Sequence, residues 1–578
     1  MKRFFKALLA LALAMICLAS LPAAAMAAPA EGVGDELDAF IAEHADTTAG
    51  LAVAVFDADG VIYERYAGFA DIENGRAVDA DTVFEWGSVS KLLVWVSVMQ
   101  LAEQGKISLD ADVREYLPEG FMTNLRYDAP VTVLDLMNHD AGFQEMLFDI
   151  FMPEGSDIKP LEDAIRDRQP AQVYAPGTVT AYSNWGAALA SLIVQRVSGM
   201  SYCDYVHQNI FEPLGMSRSA ILPDLSDNEW VRAKRQELKC YTNTLDPLGT
   251  DIHQIWMYPI GMCTGTLGDL CAFGRALLDE DCPLFASSAA RELLFSPSGR
   301  YENGSPRCCH GFWVLPRGTL CVGHGGNTDG CSADLELDLD RGLGMVVMTN
   351  QRYENVYCAQ MPQTVFGPLD TGADALPFRS GPYRPARTIV SGPLKLYSLL
   401  SVTSFSETDA EDYALTTRSD GVVCGQTCDY SPLGAAQYAE YALFLTMLLG
   451  VVFSLVYLLV RPGAAIVRGI RKQGPLEPDR RRRRRTFAAV LQLLLAGGIA
   501  AVYLLQSAYY PCASYSWIFA AVCVLAPVMA ALAAVLLLGA GGENKKSKRA
   551  LDIVCAFFLL VSTANVIYWQ MYRFWELM

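Results

Sequence analysis

The chain has 578 residues, 52% of them hydrophobic, and a formal net charge of −18 at pH 7. That length exceeds one ordinary domain, and that hydrophobic share excludes a purely soluble protein. The apolar excess is concentrated at the two ends, which points to an exported, membrane-held chain.

The N-terminus carries Lys2, Arg3 and Lys6, then an apolar run from Ala7 to about Leu21, then Ala25-Met26-Ala27 before Ala28. A basic head, an apolar run and an A-x-A site predict a secretory signal peptide over 1–27, with an uncleaved anchor helix as the alternative. Either one exports the domain after it, and no cysteine occupies a lipobox position. A short helical stretch is expected at 33–46. Leu51 to Ala67 predicts a hairpin, two β-type runs around the turn Asp57-Ala58-Asp59-Gly60.

Next comes Trp86-Gly87-Ser88-Val89-Ser90-Lys91, opening an apolar helical run. Residues three apart on a helix share a face, so Lys91 is expected beside the Ser88 hydroxyl. Serine is a poor nucleophile without an adjacent base, and a desolvated lysine loses its proton near neutral pH. The plainer alternative makes Ser88 a helix N-cap. A second S-x-x-K, Ser156 to Lys159, lies among Pro153, Gly155 and Pro160 and is expected to be loop.

From about 100 to 320 the pattern predicts mostly helices and long loops. One helix follows Pro176-Gly177 and ends at Gly199; another spans Leu267 to Leu278. Tyr182-Ser183-Asn184 stands at the start of the first. That context holds a phenol and an amide rigidly for proton transfer and substrate contact, or else marks an interfacial tyrosine. His324-Gly325-Gly326-Asn327 precedes two expected strands, about 331–339 and Gly344 to Thr349. Glycines there permit close approach to a strand edge, and the Ser88 and Asn327 N–H groups are candidates for an oxyanion hole. A surface turn is the alternative. Strands at both ends of a helical middle imply an α+β fold whose first and last strands share one antiparallel sheet.

Residues 366–435 are Gly/Pro-rich, with Ser380-Gly381-Pro382-Tyr383-Arg384-Pro385-Ala386-Arg387, and predict a small β-rich module or linker. Sixteen cysteines include twelve between Cys203 and Cys428, and Cys424 with Cys428 is a candidate small-loop disulfide in an oxidising compartment. No Cys/His spacing suits zinc. Four apolar segments, about 441–460, 486–506, 515–540 and 551–571, are long enough to span a bilayer as a four-helix bundle (441–571). Arg461 to Arg485 and Lys545 to Arg549 flank them as basic loops. The positive-inside rule makes both loops cytoplasmic and puts residues 28–440 outside. The arginine run is thus a topology determinant, and no nucleic-acid partner is implied.

In their order, S-x-x-K at Ser88, Y-x-N at Tyr182 and H-x-G at His324 resemble the serine β-lactamase and penicillin-binding protein superfamily, specifically its class C β-lactamase-like branch. Met137 to Phe143, Phe211 to Met216 and Gly265 to Leu270 look like further motifs of that branch. The resemblance spans 33–365 and implies a β-lactamase/transpeptidase-like antiparallel sheet with a helical region. It makes Ser88 the acylated nucleophile, Lys91 its proton acceptor and Tyr182 the proton shuttle. Asn184 would orient the substrate amide and Lys91, with His324, Gly325, Gly326 and Asn327 along the substrate. No cofactor or metal is implied. His324 stands where class C β-lactamases carry the lysine of K-T-G, and a mostly neutral imidazole favours a peptidase or esterase over an antibiotic-hydrolysing enzyme. Asp140-Ala141 departs from the branch's Thr-Ser. The expected substrate is a D-amino-acid-containing peptide, amide or ester at the outer membrane face, with the bilayer as the other partner. Alternatives are a peptidase maturing exported peptide natural products, a β-lactam or wall-fragment receptor signalling through the spans, and a lapsed enzyme used for binding.

Overall fold

The computed structural model describes residues 32–146, 150–152, 155–250, 254–370, 378–406, 408–409, 413–471, 480–507, 511–541 and 546–577. The signal-peptide pattern at 1–27 lies outside the described residues.

Five long strands organise the first part of the chain: β1 (Gly50–Phe56), β2 (Val61–Asp71), β3 (Leu320–Asn327), β4 (Ser332–Asp338) and β5 (Leu343–Thr349). The β1–β2 hairpin forms where its turn chemistry dictates, with Asp57 Oδ1 accepting the Asp59 and Gly60 N–H groups at 2.9 and 2.8 Å. On its other side β1 pairs antiparallel with β5, Val53 opposite Val347. First and last strands therefore share one sheet, as the sequence pattern implies. The period of two is visible in the burial: Ala52, Ala54 and Phe56 pack into the main core, while Leu51, Val53 and Val55 pack with Leu37, Ile41 and Met361.

The helical region covers the main-core face. It contains α1 (Lys91–Glu103), α2 (Asn184–Ser198) and α3 (Leu267–Leu278). Every residue of α1 from Lys91 to Leu101 is buried, the state expected of a helix apolar all round. α2 ends at Gly199 with φ 74°, a left-handed cap that glycine adopts without strain.

One expectation needs correction. The stretch before 320 is not only helix and loop: Gly299–Arg300, Pro306–Cys309 and Phe312–Pro316 extend the sheet on the β3 side, and with Arg76–Ala77 on the β2 edge they give nine strands among the described residues. These strands are too short for a periodic signal. The loop reading of Ser156 to Lys159 holds, with Lys159 paired to Asp167.

The segment after 366 is a small β module, five short strands centred on Gly381–Pro385 and Asp429–Pro432. Cys424 and Cys428 do not close a loop; both are free thiols, as are the other described cysteines. The hairpin is held by Arg307 instead, which bonds Asp429 at 2.7 Å, Gly425 O at 2.7 Å and Gln426 O at 3.1 Å.

Beyond the module stand four helices long and apolar enough to cross a membrane: α4 (Ala435–Ile470), α5 (Arg480–Ser507), α6 (Cys512–Gly541) and α7 (Lys546–Tyr568). They outrun the apolar windows because helical hydrogen bonding continues into polar flanks. The basic segments share one end of the bundle, where Arg485 bonds Asp552 at 2.6 Å and Lys548 O at 2.9 Å. The module grips the other end. Tyr397 stacks on Tyr503 with ring centroids 5.8 Å apart, Gly392 N–H donates to Gln570, and Arg573 donates to Ser391. Tyr503 is ~35 Å along α5 from Arg480 at 1.5 Å per residue.

Arg307 and Asp429 are 7% and 6% exposed, so Arg307→Met leaves a buried carboxylate with only the more distant Arg418, 3.9 Å away, as a counter-charge. The expected cost is roughly 3–5 kcal/mol. Thermal unfolding of the detergent-solubilised chain, tracked by tryptophan fluorescence, should show a clear fall in melting temperature; an unchanged transition would refute this account of the module's attachment.

Candidate active site

Ser88 lies in a single 3-10 turn, Gly87–Ser90, that runs directly into α1 at Lys91. It caps nothing: its hydroxyl accepts from Lys91 Nζ at 2.9 Å. The N-cap alternative therefore fails. Lys91 Nζ also donates to Ile260 O at 2.6 Å, and the residue is fully buried. Burial pushes its pKa well below that of an ordinary lysine, the Arg387 charge adds to this, and Glu145 opposes it. The site thus favours a neutral amine next to a serine hydroxyl.

The turn is clamped from the other side by β3. A Cβ on Gly326 would lie 2.0 Å from Trp86 O and 2.9 Å from Ser88 N, and one on Gly87, whose φ is 53°, would lie 2.6 Å from Asn327 N. Only glycine at both positions lets the two backbones meet, which brings the Ser88 and Asn327 amides into one neighbourhood. Trp313 pairs with Gly323 in the adjacent strand, so β3 outruns that neighbour and Gly325 and Asn327 stand exposed at a strand edge. The surface-turn alternative for this segment is excluded, since it is the end of a sheet strand.

Tyr182 is buried. Lys91 Nζ lies 5.1 Å from its ring centre and the Arg387 guanidinium 4.8 Å. Its hydroxyl is close enough to Ser88 to be influenced by it, but completes no hydrogen bond of good geometry. Burial raises its pKa above that of a free phenol, so it is protonated at rest. His139, in a left-handed backbone conformation with φ 57°, accepts the Ser183 N–H on Nδ1 at 3.1 Å and lies against the Tyr182 ring, centroids 4.5 Å apart. This is a positioning contact: a neutral imidazole that fixes the segment leading into α2. Burial first, then the neighbouring His324, Lys91 and Arg387, hold its pKa well down.

Asn184 opens α2 behind a Ser183 cap and lines the cavity. It makes no hydrogen bond to Lys91, contrary to expectation; the Ile260 carbonyl occupies that role. His324 is buried, with its pKa lowered to about 3 by burial and by Lys91, so it is neutral at pH 7.

Two contributors have no counterpart in the sequence-based set. Arg387, from the β module, pairs through Nε with the buried Glu145 and lines the cavity. Its Nη atoms have no hydrogen-bond partner among the described residues. Thr427 O accepts the Tyr182 N–H at 3.0 Å, and Asp429 N–H donates to Thr180 O at 2.9 Å. The module therefore builds part of the wall. The only sequence signal is an arginine pair in a Pro-rich stretch, which composition does not distinguish from a solvated one.

Ser88, Tyr182, Asn184, His324, Gly325, Asn327 and Arg387 all line one cavity of about 880 Å³, with Lys91 and Gly326 behind its wall. Elsewhere, Cys203, His207 and Asp227 cluster within metal-binding distance, but Asp227 is already engaged by His207 and by the Ile221 and Leu222 N–H groups, as a structural clamp would be.

A serine, a buried lysine and a phenol thus gather around one cavity beside a β edge, the groups a serine hydrolase uses. Residues 37–366, more than half the chain, match the family model Beta-lactamase, and the chain belongs to that family, as a serine hydrolase of the β-lactamase and penicillin-binding protein superfamily. It is 26% identical over 313 residues to Penicillin-binding protein 4* of Bacillus subtilis (strain 168), covering 51% of this chain and 67% of that one. It is 28% identical over 354 residues to Penicillin-binding protein 4 of Amycolatopsis lactamdurans, covering 58% and 89%. With Esterase EstB of Burkholderia gladioli it shares 31% over 183 residues, covering 28% and 45%.

Two expected outcomes test this geometry. Gly326→Ala has no room for its methyl and should abolish activity; full activity would disprove the clamp. Because Arg387 lowers the Lys91 pKa, Arg387→Gln should move the acid limb of the kcat/KM profile to higher pH, and Arg387→Lys should hold it near the wild-type position. His324→Gln should leave that limb without any inflection gained or lost near pH ~6.5, the range of an unperturbed histidine.

Proposed function

We propose that this protein is an extracytoplasmic, membrane-anchored serine hydrolase acting through an acyl-Ser88 intermediate on D-amino-acid-containing peptides, amides or esters of the cell wall. The observation that carries this proposal is the Lys91–Ser88 pair, a fully buried amine 2.9 Å from a hydroxyl at a cavity wall. Lys91 takes the Ser88 proton as Oγ attacks the substrate carbonyl. The Ser88 and Asn327 N–H groups hold the oxyanion, and Tyr182 passes a proton to the departing amine or alcohol. Water then attacks the acyl-serine by the reverse proton path, releasing the acid and restoring Ser88. Asn184 and the Gly325–Asn327 edge hold the substrate backbone.

The relatives' names support a site for amides and esters, two being penicillin-binding proteins and one an esterase. The neutral His324 leaves β3 without a charge for a substrate carboxylate. Arg387, its charge matched by Glu145, still presents Nη donors beside Tyr182, so an anionic group would be held by hydrogen bonds from the module rather than from the strand. The extracytoplasmic side is supported by the basic segments, which lie at the end of the bundle remote from the cavity. A second reading, maturation of exported peptide natural products, is favoured by the presence of membrane-helix residues in the cavity wall.

A fluorophosphonate should label the full chain and fail to label Ser88→Ala; labelling that persists in the variant would overturn the assignment. In a screen of D-amino-acid amides, esters and a chromogenic β-lactam, Lys91→Ala and Tyr182→Phe should each reduce acylation by about 10²–10⁴-fold, the range of a lost general acid or base.

A further inference from the structure

The cavity that holds Ser88 is not bounded by the catalytic core alone. Tyr397 and Leu400 of the module, Tyr503 and Gln506 near the end of α5, and Tyr515 near the start of α6 wall the same space. Its volume of about 880 Å³ is in the upper part of the ~300–1,000 Å³ range of small-molecule sites, more than a dipeptide-sized head group needs. Leu400 is 68% exposed, a large apolar side chain left open at this wall. Gln506 is its opposite: both amide atoms are buried, and neither has a hydrogen-bond partner among the described residues. A buried unsatisfied amide calls for a partner, and an aromatic and aliphatic wall calls for apolar cover. Both lie where α5 and α6 meet the β module beside the cavity, so one end of the cavity is polar and reactive and the other borders the long apolar helices.

We propose that this outer part of the cavity is a subsite for the apolar tail of an amphiphilic substrate. The scissile amide or ester carbonyl sits at Ser88. A hydrocarbon chain lies along Leu400, Tyr397, Tyr503 and Tyr515, and Gln506 bonds an amide or ester group carried on that chain. The subsite rests on the hydrolase reading above and narrows its substrate class to molecules that partition into a membrane.

The test uses the full chain in lipid nanodiscs and D-alanine p-nitroanilides bearing acetyl, octanoyl or dodecanoyl groups, each below its micellar concentration. Binding is measured calorimetrically on Ser88→Ala protein and turnover on the active protein. The dodecanoyl compound should bind at least tenfold tighter than the acetyl one. That ratio should collapse to near unity when Leu400→Asp is added and persist with Leu400→Met. A ratio near unity without the Leu400 change, or a tenfold ratio that survives Leu400→Asp because the bilayer alone holds the chain, overturns the subsite. Turnover separates the two claims: Ser88-dependent hydrolysis with no chain-length ratio in binding sinks the subsite and keeps the hydrolase, and a Leu400-dependent binding ratio without hydrolysis of any member keeps the subsite and sinks the hydrolase.

Discussion

The amine of Lys91 sits in a place from which water is excluded, held by the Ser88 hydroxyl and the Ile260 carbonyl. An ammonium group there would forfeit its hydration, and no carboxylate sits against it to compensate; the nearest, Glu145, is spent on Arg387. The remaining architecture serves that dry pocket. α1 is buried from Lys91 to Leu101 so that Lys91 starts inside the core, Gly326 of β3 meets Gly87 of the Ser88 turn, and the Tyr182 ring covers the amine from the side. The polar groups gathered there are stable because each is neutral or paired: His139 and His324 are held uncharged by burial, and the Arg387 charge is matched by Glu145.

The β module is more than a spacer between the β-lactamase-like core and the four membrane-length helices. Its edge continues into the chain before Tyr182, its Arg387 reaches the cavity, and its Tyr397 region packs on the long apolar helices. These contacts on both sides set the position of Ser88 relative to the helix ends. The buried Arg307–Asp429 pair ties the module's hairpin to the main sheet. Arg307 bonds one carboxylate and two carbonyls, so its single charge organises a hairpin that has no disulfide to do so.

Much of the site is legible in the amino-acid order because its parts obey local rules. Ser88 and Lys91 are one turn apart, Tyr182 and Asn184 flank a helix start, and the glycines after His324 announce a close backbone approach. The expected Asn184–Lys91 bond does not form, since a backbone carbonyl from a distant segment reaches the amine first, and a loop carbonyl leaves no signature in composition. The short strands from Gly299 to Pro316 escape sequence reading because two to five residues carry no period. Arg387 reads in the sequence only as part of a Pro-rich stretch: nothing local distinguishes an arginine that turns into the cavity from one that faces water.

By itself the sequence determined the family, the nucleophile candidate with its base, the α+β core and four membrane-length apolar helices. Each of these depends on neighbours in the chain or on hydrophobic length. Tertiary structure alone decided what charges the cavity and how far it extends. Those features come from residues separated by hundreds of positions, Glu145 with Arg387, Tyr182 with Thr427, Ser88 with Tyr515, and they meet only because the chain folds back on itself.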